Sequence, residues 1–198
     1  MDYYNKIFSI IEAVKKRDNY IEAIYLRISC IQPMYGYGIP DKKSIMELIN
    51  FITQVNIKNI LSIGSGIGFV ESIINKLSSA NVICTDAFLS HDTEEHSKKT
   101  SWSTIEKINH KDALDKYGSS IDCVFMNWPS MDEWPTETVK ITKQKNIKYI
   151  IYIGETTSSP CTGNDLMLEF LEKNYKNTKQ IYFKTFHTIN DSITIYYD

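Results

Sequence analysis

The sequence predicts one α/β domain: a mostly parallel sheet of about seven strands, an antiparallel hairpin at its C-terminal end and a helical cap in front. Three observations predict it. The first is Ile60-Leu61-Ser62-Ile63-Gly64-Ser65-Gly66-Ile67-Gly68-Phe69-Val70-Glu71, an apolar run that breaks into alternate glycines. It then reopens with Val70, Ile73, Ile74 and Leu77 at helical spacing, which reads as strand, tight turn and helix. The second is Val82-Ile83-Cys84-Thr85-Asp86, an apolar run ending on a carboxylate. It lies about 20 residues on, where nucleotide-binding βαβ units place a ribose-binding acid. The third is the strand-and-helix rhythm from Asn59 onward, whose short apolar runs suit strands covered on both faces.

In order, residues 1–40 form the cap. Tyr4, Ile7, Phe8, Ile11 and Val14 share one helical face, and Ile21, Ile24, Tyr25 and Ile28 repeat the pattern after Arg17-Asp18-Asn19. Pro33-Met34-Tyr35-Gly36-Tyr37-Gly38-Ile39-Pro40 reads as a non-helical link. A third helix starts near Asp41 and turns Ile45, Leu48, Ile49 and Ile52 inward, opening the core at 41–198. Strands are predicted at 59–64, 81–86, 104–108, 121–127, 147–153, 179–186 and 192–197, and helices near 68–78, 134–144 and 164–175. The last two strands pair as a hairpin around Asn190-Asp191. The polar stretch 87–103 reads as a long surface loop beside the ligand crevice.

The bulk numbers exclude several classes. A chain of 198 residues with 42% hydrophobic and 23% charged residues suits one soluble domain. Net charge is −2, and Arg17 and Arg27 are the only arginines, so nucleic acid is not a favoured partner. No apolar run approaches the ~20 residues of a membrane span, and no signal-peptide core opens the chain. Cys30, Cys84, Cys123 and Cys161 show no paired spacing, which suits reduced thiols and a cytoplasmic setting. No pattern sets an oligomeric state.

The glycine spacing decides between ligands. It is G-x-G-x-G, and Phe69 stands where a dinucleotide-binding third glycine belongs, which weighs against a nicotinamide oxidoreductase. Gly64, Ser65, Gly66 and Gly68 instead leave room for a ribose and an amino-acid tail. Asp86 would accept from both ribose hydroxyls and repel a 2′-phosphate. Asp112, in Asn109-His110-Lys111-Asp112-Ala113 after the third strand, is placed to accept from an adenine amine, or to cap the turn before Ala113-Leu114. This order describes an adenosine site without phosphates, and S-adenosylmethionine is its natural occupant. Tyr37, in the Tyr-Gly-Tyr-Gly link, would close over that cofactor or serve as a hinge packing the cap.

Over about residues 40–198 the chain resembles the class I S-adenosylmethionine-dependent methyltransferases. That resemblance implies a Rossmann-like sandwich of about seven strands with the last antiparallel. Narrower matches are Tyr37-Gly38-Ile39-Pro40, Trp102-Ser103-Thr104-Ile105, Phe125-Met126-Asn127-Trp128-Pro129, Tyr152-Ile153-Gly154-Glu155 and Cys161-Thr162-Gly163-Asn164-Asp165. They resemble a methyltransferase-like group found in viruses, bacteria and fungi, which implies fold and cofactor but no substrate.

The resemblance also suggests where a methyl would go. Amino-methyltransferases carry Asp/Asn/Ser-Pro-Pro-Tyr/Phe after the fourth strand, where the polar side chain and a carbonyl accept from the target amine. Asn127 and Pro129 keep part of that motif, while Trp128 intervenes and Ser130 replaces the aromatic residue. Glu155, ending the fifth strand, is the candidate base for a protonated nucleophile, or equally a carboxylate tethering Thr156, Thr157 and Ser158. Pro160-Cys161 follows the wrong strand for a cytosine-type nucleophile. His91, Glu94, Glu95 and His96 lack a third ligand at useful spacing, so no metal is expected. The expectation is methyl transfer to a small molecule or protein, with a catalytically silent binding module as the alternative.

Overall fold

A computed structural model gives the fold and describes residues 2–88, 91–156 and 160–198. The apolar runs form β1 (Asn59–Ile63), β2 (Asn81–Asp86), β3 (Ile105–Lys107), β4 (Cys123–Asn127), β5 (Tyr149–Glu155), β6 (Asn177–Tyr182) and β7 (Asp191–Tyr197). They join in one sheet in the order β3-β2-β1-β4-β5-β7-β6. The first five are parallel, and β7 runs antiparallel to both β5 and β6. The strand order reverses between β1 and β4, so the chain leaves these two strands in opposite directions and opens a crevice at their C-terminal ends.

Successive strand residues alternate between two cores. Ile60, Phe125 and Ile151 face one way, toward α1 (Asp2–Lys15), α4 (Lys42–Gln54) and α5 (Phe69–Leu77). Leu61, Val124 and Ile150 face the other, toward α7 (His110–Tyr117), α8 (Trp134–Gln144) and α9 (Asp165–Asn174). Each large apolar side chain buried this way contributes roughly 1.5–3 kcal/mol. Ile7, Phe8, Ile11 and Val14 of α1 share a cluster with α4 and α5, so the first helix belongs to the main core.

Four expectations need correcting. The link after α2 (Tyr20–Leu26) is more helical than expected: a π turn at Arg27–Ile31 leads into α3 (Gln32–Tyr35), with Pro33 in its first turn. Pro33 donates no N–H, so a helix reaching it must rearrange its carbonyls. The stretch 87–103 is not a loop throughout, since His91–Thr100 is helix α6. It has no apolar stripe to betray it: Ser97 Oγ docks it by donating to Gly66 O at 3.1 Å, and Glu94–Lys98 at 2.8 Å and Glu95–Lys99 at 3.5 Å, both one turn apart, add a little. Helix α7 is likewise polar in sequence, and Asn109 caps it by accepting from Asp112 N–H. The hairpin turn is longer than expected, because β6 ends at Tyr182 and the segment 183–190 intervenes. Phe186 in that segment is buried as a wedge, which makes it look like strand in sequence.

Candidate functional site

The glycine turn is built from backbone conformation. Gly64, Gly66 and Gly68 have φ of +72°, +58° and +68°, a region that side chains disfavour. The turn is pinned to β2 by Ser65 N–H donating to Thr85 O at 3.0 Å, and Asp86 Oδ2 accepts from Gly66 N–H at 2.9 Å. Asp86 Oδ1 accepts from Phe88 N–H at 2.8 Å. An ionised carboxylate has about four acceptor sites, so lone pairs remain for a ligand. The three glycines face different surroundings. A Cβ on Gly64 would lie 2.9 Å from the Trp134 ring, and one on Gly68 would lie 3.0 Å from Ser103 Cβ. A Cβ on Gly66 would meet nothing within 4 Å. Gly66 therefore fronts open space.

Phe69 is buried against Tyr35 and Trp102, with ring centroids 5.0 and 5.1 Å away. A large ring thus fills the position a dinucleotide-binding glycine would need. At the end of β3, Ile108 N–H donates to Asp86 O, drawing the third strand's exit beside the acid. Asp112 is exposed in the first turn of α7, where its Oδ2 accepts from Asn109 Nδ2 at 2.7 Å. The cap itself is Asn109, not Asp112.

The other half of the crevice is covered. Residues 33–40 cross the C-terminal edge of the sheet as a strap, held at several points. Pro33 O lies 2.9 Å from His96 Nε2, and Met34 O accepts from Trp102 Nε1 at 2.7 Å. Gly38 O accepts from Asn127 Nδ2 at 3.0 Å, and Ile39 O accepts from the buried Lys15 Nζ at 2.9 Å. Tyr37 stacks on Trp128 with centroids 5.2 Å apart and planes inclined by 11°. Gly38 has no room for a side chain, because a Cβ would fall 2.1 Å from Asn127 Oδ1. That oxygen is buried without a hydrogen-bond partner.

Trp128 is held in the left-handed region, at φ +55°. Such strain persists only where the surroundings impose it. Its N–H donates to Ile153 O at 2.8 Å, and its indole N–H reaches both Asp191 oxygens at 2.9 and 3.0 Å. Arg27 lies 5.8 Å from the indole ring. Burial pushes the Asp191 carboxyl up to about 6, against the pull of the indole donor. The Pro129 carbonyl is committed inward, accepting from Gly163 N–H at 2.8 Å and Thr162 Oγ1 at 2.7 Å.

Glu155 is 7% exposed. Its oxygens accept from Cys161 N–H at 2.8 Å and Asn190 N–H at 3.2 Å. Burial works to raise its pKa, but these donors outweigh it and hold the carboxyl below its usual range. In this geometry Glu155 tethers two loops to the end of β5. Thr157 and Ser158 lie outside the described residues, as does the side chain of His91. Among the described residues no cluster of three His, Cys, Asp or Glu side chains could hold a metal ion. Among them, too, no helix is long and apolar enough to cross a membrane.

Several of the site's contacts carry no signal in the sequence. Trp134, which walls Gly64, sits 70 positions away. Arg27 and Asp191, which flank Trp128, come from opposite ends of the chain. The inward-facing Glu71 carried the one available signal, a charge beside Val70 on an otherwise apolar helix face.

The sheet, with its antiparallel β7, superposes together with its flanking helices on solved structures over nearly the whole chain. The fold is that of the class I methyltransferases. An O-methyltransferase from Bacillus cereus, solved with S-adenosylhomocysteine, superposes with a TM-score of 0.53 at 12% identity, covering 98% of this chain and 97% of that one. The magnesium protoporphyrin IX methyltransferase from Synechocystis, solved with S-adenosylmethionine, gives 0.50 at 11% identity, covering 88% and 94%. The methyltransferase domain of bacterial CtHen1 gives 0.53 at 12% identity, covering 78% of this chain and 97% of that one. No family model matches the chain, and no curated protein matches its sequence. The class I methyltransferase fold therefore rests on structure, at identities too low to carry a substrate across.

Proposed function

We propose that the chain binds S-adenosylmethionine and transfers its methyl group to a small molecule or a protein side chain. The observation that carries this reading is the pairing of an open-fronted glycine turn with Asp86 at the carboxyl ends of adjacent parallel strands. The residues fit the cofactor. Gly66 offers a backbone surface with no side chain in the way, and Asp86 keeps lone pairs for two ribose hydroxyls. Asp112 stands at the neighbouring strand exit for the adenine amine. Gly64, Ser65 and Gly68 shape the aminocarboxypropyl side, and Tyr37 belongs to the strap that would close the site.

When bound, the cofactor supplies an electrophilic methyl on a sulfonium. The chain's own work is to align the acceptor and exclude water, which needs no strong acid or base. Asn127 Oδ1 is a buried acceptor without a partner, and with Gly38 moved off it the oxygen would orient an N–H or O–H of the incoming nucleophile. Pro129 fixes the turn that carries it, through a carbonyl that accepts two hydrogen bonds. Glu155, at the next strand end, holds the edge together, and any proton it accepted would use its remaining lone pairs. The unpaired cysteines suit a cytoplasmic setting.

Titration calorimetry with S-adenosylmethionine tests the reading. Micromolar binding is expected, weakened at least about 10-fold in Asp86→Ala by loss of charge-assisted hydrogen bonds. No binding at millimolar ligand overturns it. One observation favours a second reading, a silent binding module: the strap already occupies the acceptor corner, with Gly38 on Asn127 and Tyr37 on Trp128. Cofactor binding without methyl loss to hydroxyl, amine, thiol or carboxylate acceptors would favour the module.

A further inference from the structure

Beneath the glycine turn lies a buried carboxylate that the proposed reaction leaves without a task. Glu71, in the first turn of α5, is 1% exposed, and its Oε1 accepts from Ser62 Oγ at 2.7 Å. Ser62 Oγ in turn accepts from Ser65 Oγ at 2.9 Å, and Ser65 Oγ accepts from Thr85 N–H at 3.1 Å. A file of donors thus runs from β2 through the turn to the carboxylate. Ser65 is a turn residue between two glycines, so the file ties Glu71 to the loop itself.

The same atoms allow a second wiring. Ser65 Oγ also lies 3.3 Å from Ser62 O. With a proton on Glu71, the carboxyl donates to Ser62 Oγ, Ser62 donates to Ser65 Oγ, and Ser65 turns to that carbonyl. Both arrangements satisfy every hydroxyl, so the pocket accommodates Glu71 charged or neutral without moving heavy atoms.

The charged neighbours are few. From β2, Asp86 adds negative charge, and the Cys84 thiol is held neutral because burial pushes it up to about 12. From β1 and the turn come only the Ser62 and Ser65 hydroxyls. From α4, packed on the same helix, the buried side chains are Ile45, Leu48, Ile49, Phe51, Ile52 and the Ser44 hydroxyl. Among the described residues no cation faces Glu71. Burial therefore pushes the carboxyl up to about 7, with Ser62's donation pulling the other way.

We propose that Glu71 is a specificity-determining residue of the cofactor site: ionised, it sets a buried negative charge beneath the glycine turn that favours S-adenosylmethionine over S-adenosylhomocysteine. The inference rests on the cofactor reading above. The two ligands share adenosine, ammonium and carboxylate and differ by a methyl and the positive charge on sulfur. Comparing them cancels most other contributions. A fixed charge shielded from solvent acts on the sulfonium with little screening. Retaining the charged reactant and releasing the neutral product is what a turning-over methyltransferase needs.

The test is calorimetry of both ligands from about pH 5.5 to 8.5, spanning the titration of a group near neutrality. The ratio of the S-adenosylhomocysteine Kd to the S-adenosylmethionine Kd is expected to rise about 3- to 10-fold with pH, and to stay flat in Glu71→Gln. Where that variant fails to fold, Ser62→Ala carries the test, since losing its donor must move the midpoint to higher pH. A flat ratio in the natural chain, an equal rise in Glu71→Gln, or an unmoved midpoint in Ser62→Ala overturns the inference while the cofactor reading stands. Failure of both ligands to bind overturns the cofactor reading itself.

Discussion

The two halves of the crevice are built from different materials. In the turn after β1, positive φ is carried by Gly64, Gly66 and Gly68, and hydrogen bonds to Thr85 and Asp86 hold the turn with its front open. In the turn after β4, positive φ is carried by Trp128, whose position is fixed by Asp191, Arg27 and a strap from the N-terminal region. The first half rests on the backbone freedom of its glycines and can be recognised from a spacing, although Trp134 and Ser103 wall it from afar. The second is specified by contacts between segments far apart in sequence. A site that binds one constant cofactor suits the first construction, and a surface that selects a variable acceptor suits the second.

Substitutions at single glycines separate the two constructions, and the largest effect is expected at Gly64. Gly64→Val combines a disfavoured φ with a collision against the Trp134 ring, so a loss of about 2–4 kcal/mol is expected in urea denaturation. Gly66→Ala carries the backbone strain without the collision, and about 1 kcal/mol is expected. Equal costs would mean that Trp134 does not wall the turn as described.

A smaller effect is expected from Gly38→Ala in the strap. Its Cβ would fall 2.1 Å from Asn127 Oδ1 and 3.1 Å from Trp128 Cδ1, so the strap must shift. Amide exchange across residues 33–40 should speed up by about 10-fold, the change expected for a local loss near 1.4 kcal/mol. Cofactor affinity should change less than about 3-fold, since Gly38 itself packs on Asn127, Ile153 and Trp128 and not on the glycine turn. A parallel collapse in affinity would show that the two halves are one construction.

This division also explains what was legible in the sequence. The parallel strands were readable because strands buried on both faces are nearly continuous apolar runs, as Cys123–Asn127 and Tyr149–Glu155 are. The glycine turn was readable because only backbone freedom explains three alternate glycines after such a run. Helix α6 was not, because its contacts are polar, with ion pairs such as Glu94–Lys98 and Ser97 Oγ donating to Gly66 O, and these leave no periodic apolar stripe. Nor was the covering of Asn127 by Gly38, since 89 residues separate them and neither end signals the other. Phe186 misled the reading for a related reason, because a buried wedge in a turn and a strand residue look alike in one dimension.

The central claim is an adenosine site between the glycine turn and Asp86, and crystals grown with S-adenosylhomocysteine test it most directly. The account predicts ligand density against Gly64–Gly68, with both ribose hydroxyls within hydrogen-bond distance of Asp86. Density for the ligand elsewhere on the molecule, with Asp86 still held only by Gly66 and Phe88, would contradict it.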